Sequence, residues 1–304
     1  MAYRRAWQRD FDRSIRENPD WPVVVSQGDS WFSYPHEKNV MDFLDAPLPG
    51  RDKPDKKGEA ALQRDWSLLR LERTQDDILG VMTGGERAFL NEILQRYAVD
   101  ALLFSAGGND LLGPDLGALL EPYRSGIAAA EALVEKRLAR RLRQIEDCYR
   151  ELIDMVLDDG PDLKVLVNSY DLPVSSCEEA RLLGGRSVGP WLRPAFAAKG
   201  YPAGSPLERE IPRLLLDRFC AVLDTLTGEV PTRFHRVETR GAVGSEWADE
   251  IHPNARGARA VAERFEQVLQ RFALVPVVPV APTAPTAPIE VARPSQLRGV
   301  RKAS

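Results

Sequence analysis

Cysteine, histidine and long apolar runs are all scarce in this chain of 304 residues. The three cysteines, Cys148, Cys177 and Cys220, are odd in number, and no pair has metal-ligand spacing. A disulfide framework is therefore not expected, and reduced thiols in a cytoplasmic location are. The three histidines, His36, His235 and His252, are scattered. With scattered cysteines they make no metal site, and no cofactor is predicted. No run of about 18 apolar residues occurs, so no membrane span is expected. Residues Met1 to Asp20 are rich in Arg and Asp and lack the apolar core of a secretory signal. Charge of one sign is also missing. Lys+Arg number 41 and Asp+Glu 45, for a net charge of −4, so no global field draws the protein to nucleic acid. The local cluster Arg137, Arg140, Arg141 and Arg143 reads as the solvated face of a helix.

What is present is enough apolar material for one large core. The chain is 43% hydrophobic and 28% charged, which suits a single α/β domain with tails. Residues 1–20 read as a polar lead-in, helical if Trp7 and Phe11 pack on the body. The domain proper spans 21–274. From 275 to 304 the chain is Pro-rich and ends basic, the composition of a disordered or polyproline-like tail.

Short apolar runs alternate with helical patterns. Val23-Val24-Val25 opens a strand at about 22–27, and its β-branched run reads as buried on both faces. Further strands are expected at Leu68–Leu71, Asp100–Ser105, Lys164–Asn168 and Phe234–Glu238. Between them lie helical patterns over Asp76–Tyr97 (interrupted by Gly84 and Gly85), Arg124–Asp158 and Ile211–Thr227. A closing helix should begin at the N-cap Asn254. Residues 50–60 are a charged, exposed loop. Gly184–Pro206 is Gly- and Pro-rich and reads as an irregular excursion of the kind that forms a cap or lid. The alternation implies a mostly parallel sheet with helices on both faces, whose strand-exit loops share one edge.

Those loops carry the chemistry. The first strand ends in Gly28-Asp29-Ser30, the third in Gly107-Gly108-Asn109, and the loop before the last helix holds Asp249 and His252. A serine alcohol is a poor nucleophile until a base takes its proton. A histidine does this near neutral pH, and a carboxylate on its other nitrogen fixes the tautomer. The offset of three residues can set Asp249 against His252. Attack on an ester carbonyl creates an oxyanion, for which the Ser30 backbone N–H and the Asn109 amide are candidate donors. Trp31, next to Ser30, and Gly108, where the backbone can approach closely, are candidate substrate contacts.

Gly28-Asp29-Ser30, Gly108-Asn109-Asp110 and Asp249-x-x-His252-Pro253 stand in the order found in the SGNH/GDSL hydrolase family, which the chain resembles over about residues 22–272. The resemblance implies a flavodoxin-like three-layer α/β/α sandwich and ester hydrolysis or acyl transfer on a small-molecule acyl ester, without a metal or organic cofactor. It implies Ser30 as nucleophile, His252 as general base, Asp249 as its orienting acid and Asn109 as an oxyanion donor. Two positions depart from the family pattern. Trp31 stands where leucine is usual, and Arg73 or Thr74 stands where the second family block has an oxyanion glycine. The expected activity is that of a serine esterase. Alternatives are an acyltransferase, a carbohydrate O-deacetylase, or a degenerate member that binds acyl ligands without turnover.

Overall fold

The computed structural model describes residues 2–35, 37–45, 66–74, 77–159, 162–173, 180–181 and 187–274. His36, the loop at 50–60, Cys177 and the tail at 275–304 lie outside these residues. In chain order the elements are α1 (Ala2–Glu17), β1 (Val23–Gly28), α2 (Ser30–Ser33), α3 (Val40–Leu44), β2 (Ser67–Arg70), α4 (Ile78–Val81), α5 (Gly84–Arg96), β3 (Ala101–Ser105), α6 (Gly108–Leu112), α7 (Leu116–Leu119) and α8 (Glu135–Asp159). There follow β4 (Lys164–Asn168), β5 (Ala180–Arg181), β6 (Ser187–Val188), α9 (Arg193–Ala198), α10 (Leu207–Glu229), β7 (Phe234–Val237) and α11 (Ala255–Arg271).

Five strands form the central sheet in the order β2-β1-β3-β4-β7, and every pairing in it is parallel. Among the sheet's own strands this is the order 2-1-3-4-5 of flavodoxin-like folds, with its reversal between β1 and β3. β5 and β6 form a separate antiparallel pair. The central strands are buried on both faces because helices cover both: β3 has no exposed position, and β1 has none after Val23. One helical group brings α8 against α4, α5 and α10. On the other side α11 packs on α3, and α1 lies along β2. The result is a three-layer α/β/α sandwich.

The core is continuous across the sheet. Phe32 meets Phe265 edge-to-face at 5.4 Å, and Tyr149 meets Phe104 and Phe234 at 5.8 and 5.7 Å. Burying a side chain of this size contributes about 1.5–3 kcal/mol. Phe11 of α1 is buried as expected, and it fixes the lead-in helix to the body. Asn254 caps α11 by accepting from the Arg256 and Gly257 N–H groups. No helix among the described residues is long and apolar enough to cross a membrane.

One long element is shorter than its periodicity suggests. The pattern from Arg124 predicts helix, but α8 starts at Glu135. Residues 120–134 fold back on themselves instead. Leu120 bridges Leu133, and Glu121 N–H donates to Ala132 O. Ile127, Ala129, Ala132 and Leu133 are buried while Ala130 is exposed, so the apolar residues of this segment pack inward from a turn and not from one face of a helix.

The exit of β1 fixes where the next residues lie. Gly28 has φ of +151°, and a Cβ built there would sit 2.3 Å from Ser105 O. Only glycine allows β1 and β3 to approach this closely. Gly28→Ala is expected to destabilise the fold by about 3 kcal/mol or more, because the clash is with backbone. Urea unfolding at constant pH checks this, and a loss below about 1 kcal/mol would contradict it.

Candidate active site

Past Gly28 the Asp29 N–H donates to Ser105 O at 2.7 Å, tying the turn across to β3. Asp29 then caps α2: its Oδ1 accepts from Trp31 N–H at 3.1 Å and from the Ser105 hydroxyl at 2.9 Å. Its Oδ2 accepts from the Tyr170 hydroxyl at 2.6 Å. Ser30 is the first residue of α2 and is 5% exposed. Among the described residues its backbone N–H has no hydrogen-bond partner.

The loop between β7 and α11 reaches the same place. His252 Nε2 lies 2.7 Å from Ser30 Oγ, and His252 Nδ1 lies 2.7 Å from Asp249 Oδ2. The loop holds its shape through Asp249 Oδ1, which accepts the N–H groups of Ile251 at 2.9 Å and His252 at 2.7 Å. Burial alone would raise the Asp249 pKa. The His252 hydrogen bond and charge, the Ile251 N–H and the Trp191 indole outweigh burial and bring it down to about 2. An ionised Asp249 can only accept, so the proton between it and His252 belongs to Nδ1. A neutral imidazole then presents Nε2 as acceptor to the Ser30 hydroxyl.

Asn109, in the first turn of α6, is half-buried and lines the cleft that contains Ser30. Trp31, Gly108, Leu112 and Tyr170 line it too. The cleft is narrow and opens to solvent. Gly108 packs under Tyr170, and a Cβ there would fall 2.8 Å from the ring. Trp31 meets Tyr170 edge-to-face at 5.3 Å and Trp247 at 6.1 Å. All six residues singled out by the sequence, Ser30, Trp31, Gly108, Asn109, Asp249 and His252, thus come to one edge of the sheet.

Where the second family block would offer a glycine, the Arg73 N–H donates to Gly28 O at 2.9 Å. That group extends the sheet and is not aimed at the cleft. The Thr74 hydroxyl donates to Ser33 O at 2.8 Å. His235 sits on β7 against Phe272, with ring centroids 4.4 Å apart, and has no part in the cluster.

Three residues at the site have no motif. The Tyr34 hydroxyl and the Trp191 indole N–H each donate to Asp249 Oδ2 at 2.9 Å. The Tyr34 ring also stacks on His252 at 4.1 Å, 16° from parallel. Tyr34 falls four residues after Ser30, about one helical turn on, which is a signal of proximity only. Tyr170 closes the floor under Gly108 and holds Asp29. Nothing in its sequence context marks it beyond its place at the exit of β4. Trp191 belongs to the excursion, whose described part includes β6 and α9. The excursion is tied to the His252 loop by Trp191 and by Leu192 N–H, which donates to Glu250 Oε2 at 2.7 Å.

No family model matches the chain, and no curated protein does. Solved structures do. The chain is similar to the lipase Lip_vut3 from a goat rumen metagenome, at 14% identity and a TM-score of 0.47, over 81% of this chain and 96% of that one. It is similar to an extracellular lipase from Streptomyces rimosus at 14% identity and a TM-score of 0.47, over 81% and 99% of the two chains. A carbohydrate acetylesterase family member from Sinorhizobium meliloti aligns at 17% identity and a TM-score of 0.43, over 83% and 98%.

Asp110, beside Asn109, braces α4: its Oδ2 accepts Ile78 N–H at 2.9 Å, while its buried Oδ1 has no partner among the described residues. Burial raises its pKa to about 6, and the Ile78 N–H offsets this only in part. A carboxyl raised in the folded state takes up a proton on folding, so stability falls as pH rises from about 4 to about 6. Asp110→Asn cannot ionise. Its melting temperature relative to the parent should be higher at pH 7.5 than at pH 4.5. Thermal scans at both pH values check this, and a pH-independent difference would contradict it.

Proposed function

We propose that the protein is a serine esterase acting on small-molecule acyl esters, with Ser30 as nucleophile, His252 as general base and Asp249 as the acid that orients it. The observation that carries this reading is the unbroken chain of 2.7 Å contacts from Ser30 Oγ through the imidazole to Asp249. The resemblance of the three motifs to the SGNH/GDSL hydrolases points the same way. In the proposed cycle Ser30 Oγ attacks the ester carbonyl as its proton passes to His252 Nε2. The imidazolium that forms faces Asp249, which stays ionised and balances its charge. The developing oxyanion is met by the Ser30 N–H and the Asn109 side-chain amide. Protonation by His252 releases the alcohol. Water, activated by the same imidazole, then cleaves the acyl-enzyme and restores Ser30.

The acyl group is proposed to lie in the cleft against Trp31 and over Gly108. The domain that does this is taken as residues 21–274. The buried, unpaired thiols of Cys148 and Cys220 suit a reducing compartment such as the cytoplasm.

Steady-state hydrolysis of p-nitrophenyl acetate and butyrate tests the proposal. Ser30→Ala and His252→Ala should each lower kcat by about 10³-fold or more. Asn109→Ala should cost about 10²–10³-fold in kcat with KM little changed, because the amide acts on the transition state. A parent enzyme without turnover on either ester, or a Ser30→Ala variant as active as the parent, would refute the reading.

A further inference from the structure

Asp249 carries more hydrogen bonds than an orienting carboxylate needs. Its Oδ1 takes two backbone N–H groups, and its Oδ2 takes three side-chain donors: His252 Nδ1, the Tyr34 hydroxyl and the Trp191 indole. Five donors meet a group with about four lone-pair directions. Both extra donors also touch the imidazole. Tyr34 stacks on its face, and Trp191 stands edge-to-face to it at 5.5 Å and 83°. The His252 ring is thereby fixed in plane and in tilt by two rings whose polar ends converge on the same carboxylate oxygen.

We infer that Tyr34 and Trp191 are positioning residues that set the basicity of the Asp249–His252 couple by sharing Asp249 Oδ2 with the imidazole. Hydrogen bonds to a carboxylate favour its charged form and withdraw charge from the oxygen that bears them. With three donors on Oδ2, less negative charge remains to stabilise the imidazolium. His252 then stays neutral, and able to accept the Ser30 proton, to lower pH than a simple pair would allow. The surroundings leave these donors little competition. Among the described residues no Lys or Arg pairs with Asp249. The nearby carboxyl groups are those of Glu250 in the same loop, which accepts Leu192 N–H, and of Glu37 just beyond Tyr34. Burial, followed by the Asp249 charge, pushes the Tyr34 hydroxyl well above its usual range, so it remains a donor throughout. The indole N–H can only donate. This role makes the excursion around Trp191 a support of the proposed base.

The inference rests on the catalytic reading of Ser30, His252 and Asp249, and its test has a readout that needs no turnover. Tyr34→Phe keeps the ring and removes only the hydroxyl donor, while Trp191→Phe keeps an aromatic ring but removes the indole N–H together with part of the ring's volume. The chain has three histidines, His36, His235 and His252, so the imidazole C–H resonances can be assigned and titrated by NMR. Each variant should move the His252 titration to higher pH by about half a unit, and the double variant should move it by more. The acid limb of kcat/KM on p-nitrophenyl acetate should move by the same amount and in the same direction. A folded Tyr34→Phe or Trp191→Phe protein with less activity and an unmoved His252 titration would overturn the inference and leave these residues merely structural. If Trp191→Phe does not fold, Tyr34→Phe carries the test alone. If the parent shows no esterase turnover, the catalytic reading fails, while the NMR titration still decides whether these donors tune the couple.

Discussion

The close approach of β1 to β3 at Gly28 is the constraint on which the site depends. With no Cβ at that position, the chain leaves β1 in contact with Ser105 and the Asp29 N–H bonds across to β3. Asp29 can then turn inward, cap α2 and bind Ser105 and Tyr170 with the same carboxylate. That capped helix begins on Ser30. The residue proposed as nucleophile therefore stands on a turn held by β1, β3 and the exit of β4 together. A loop held only by its own sequence would not place it within ångströms of a histidine 222 positions away.

The other half of the site follows from a second carboxylate. Asp249 shapes its own loop through Oδ1 and gathers His252, Tyr34 and Trp191 on Oδ2. These partners come from the residue just after α2, from the excursion and from the loop before α11. Two buried acids thus divide the work. Asp29 fixes the serine, Asp249 fixes the histidine, and both are held by hydrogen bonds that make burying a charge tolerable. Asp110, with one oxygen unpartnered, shows what happens without such bonds: its proton is held to about pH 6.

Much of the architecture is legible in the chain because parallel strands buried on both faces are written as apolar runs. Val23–Val25 and Ala101–Phe104 are such runs, and each is followed three residues on by a glycine, Gly28 or Gly107, where the chain leaves the strand. The Ser30, Asn109 and Asp249/His252 loops are legible because their residue types are rare in combination and fall at strand exits. Other features escape the sequence for physical reasons. The start of α8 is obscured because the segment before it is also rich in apolar residues, which a turn bridging Leu120 to Leu133 buries without a helix. Trp191 is hidden because its partner is Asp249, 58 positions on, and the Gly- and Pro-rich segment around it has no periodicity to place it. Tyr34 is visible as an aromatic near Ser30, but its bond to Asp249 spans 215 positions and exists only once the fold closes. Arg73, at the place of the missing glycine, gives its backbone N–H to Gly28 O and its guanidinium to Glu86, contacts that exist only in the fold.

The most direct test of the central claim is covalent capture of the nucleophile. The native protein would be incubated with an alkyl fluorophosphonate, its intact mass measured and the adduct mapped by peptide sequencing. A single adduct on Ser30, with labelling strongly slowed in His252→Ala, is the expected result. A folded protein that takes up no label, or one labelled on a residue other than Ser30, would contradict it.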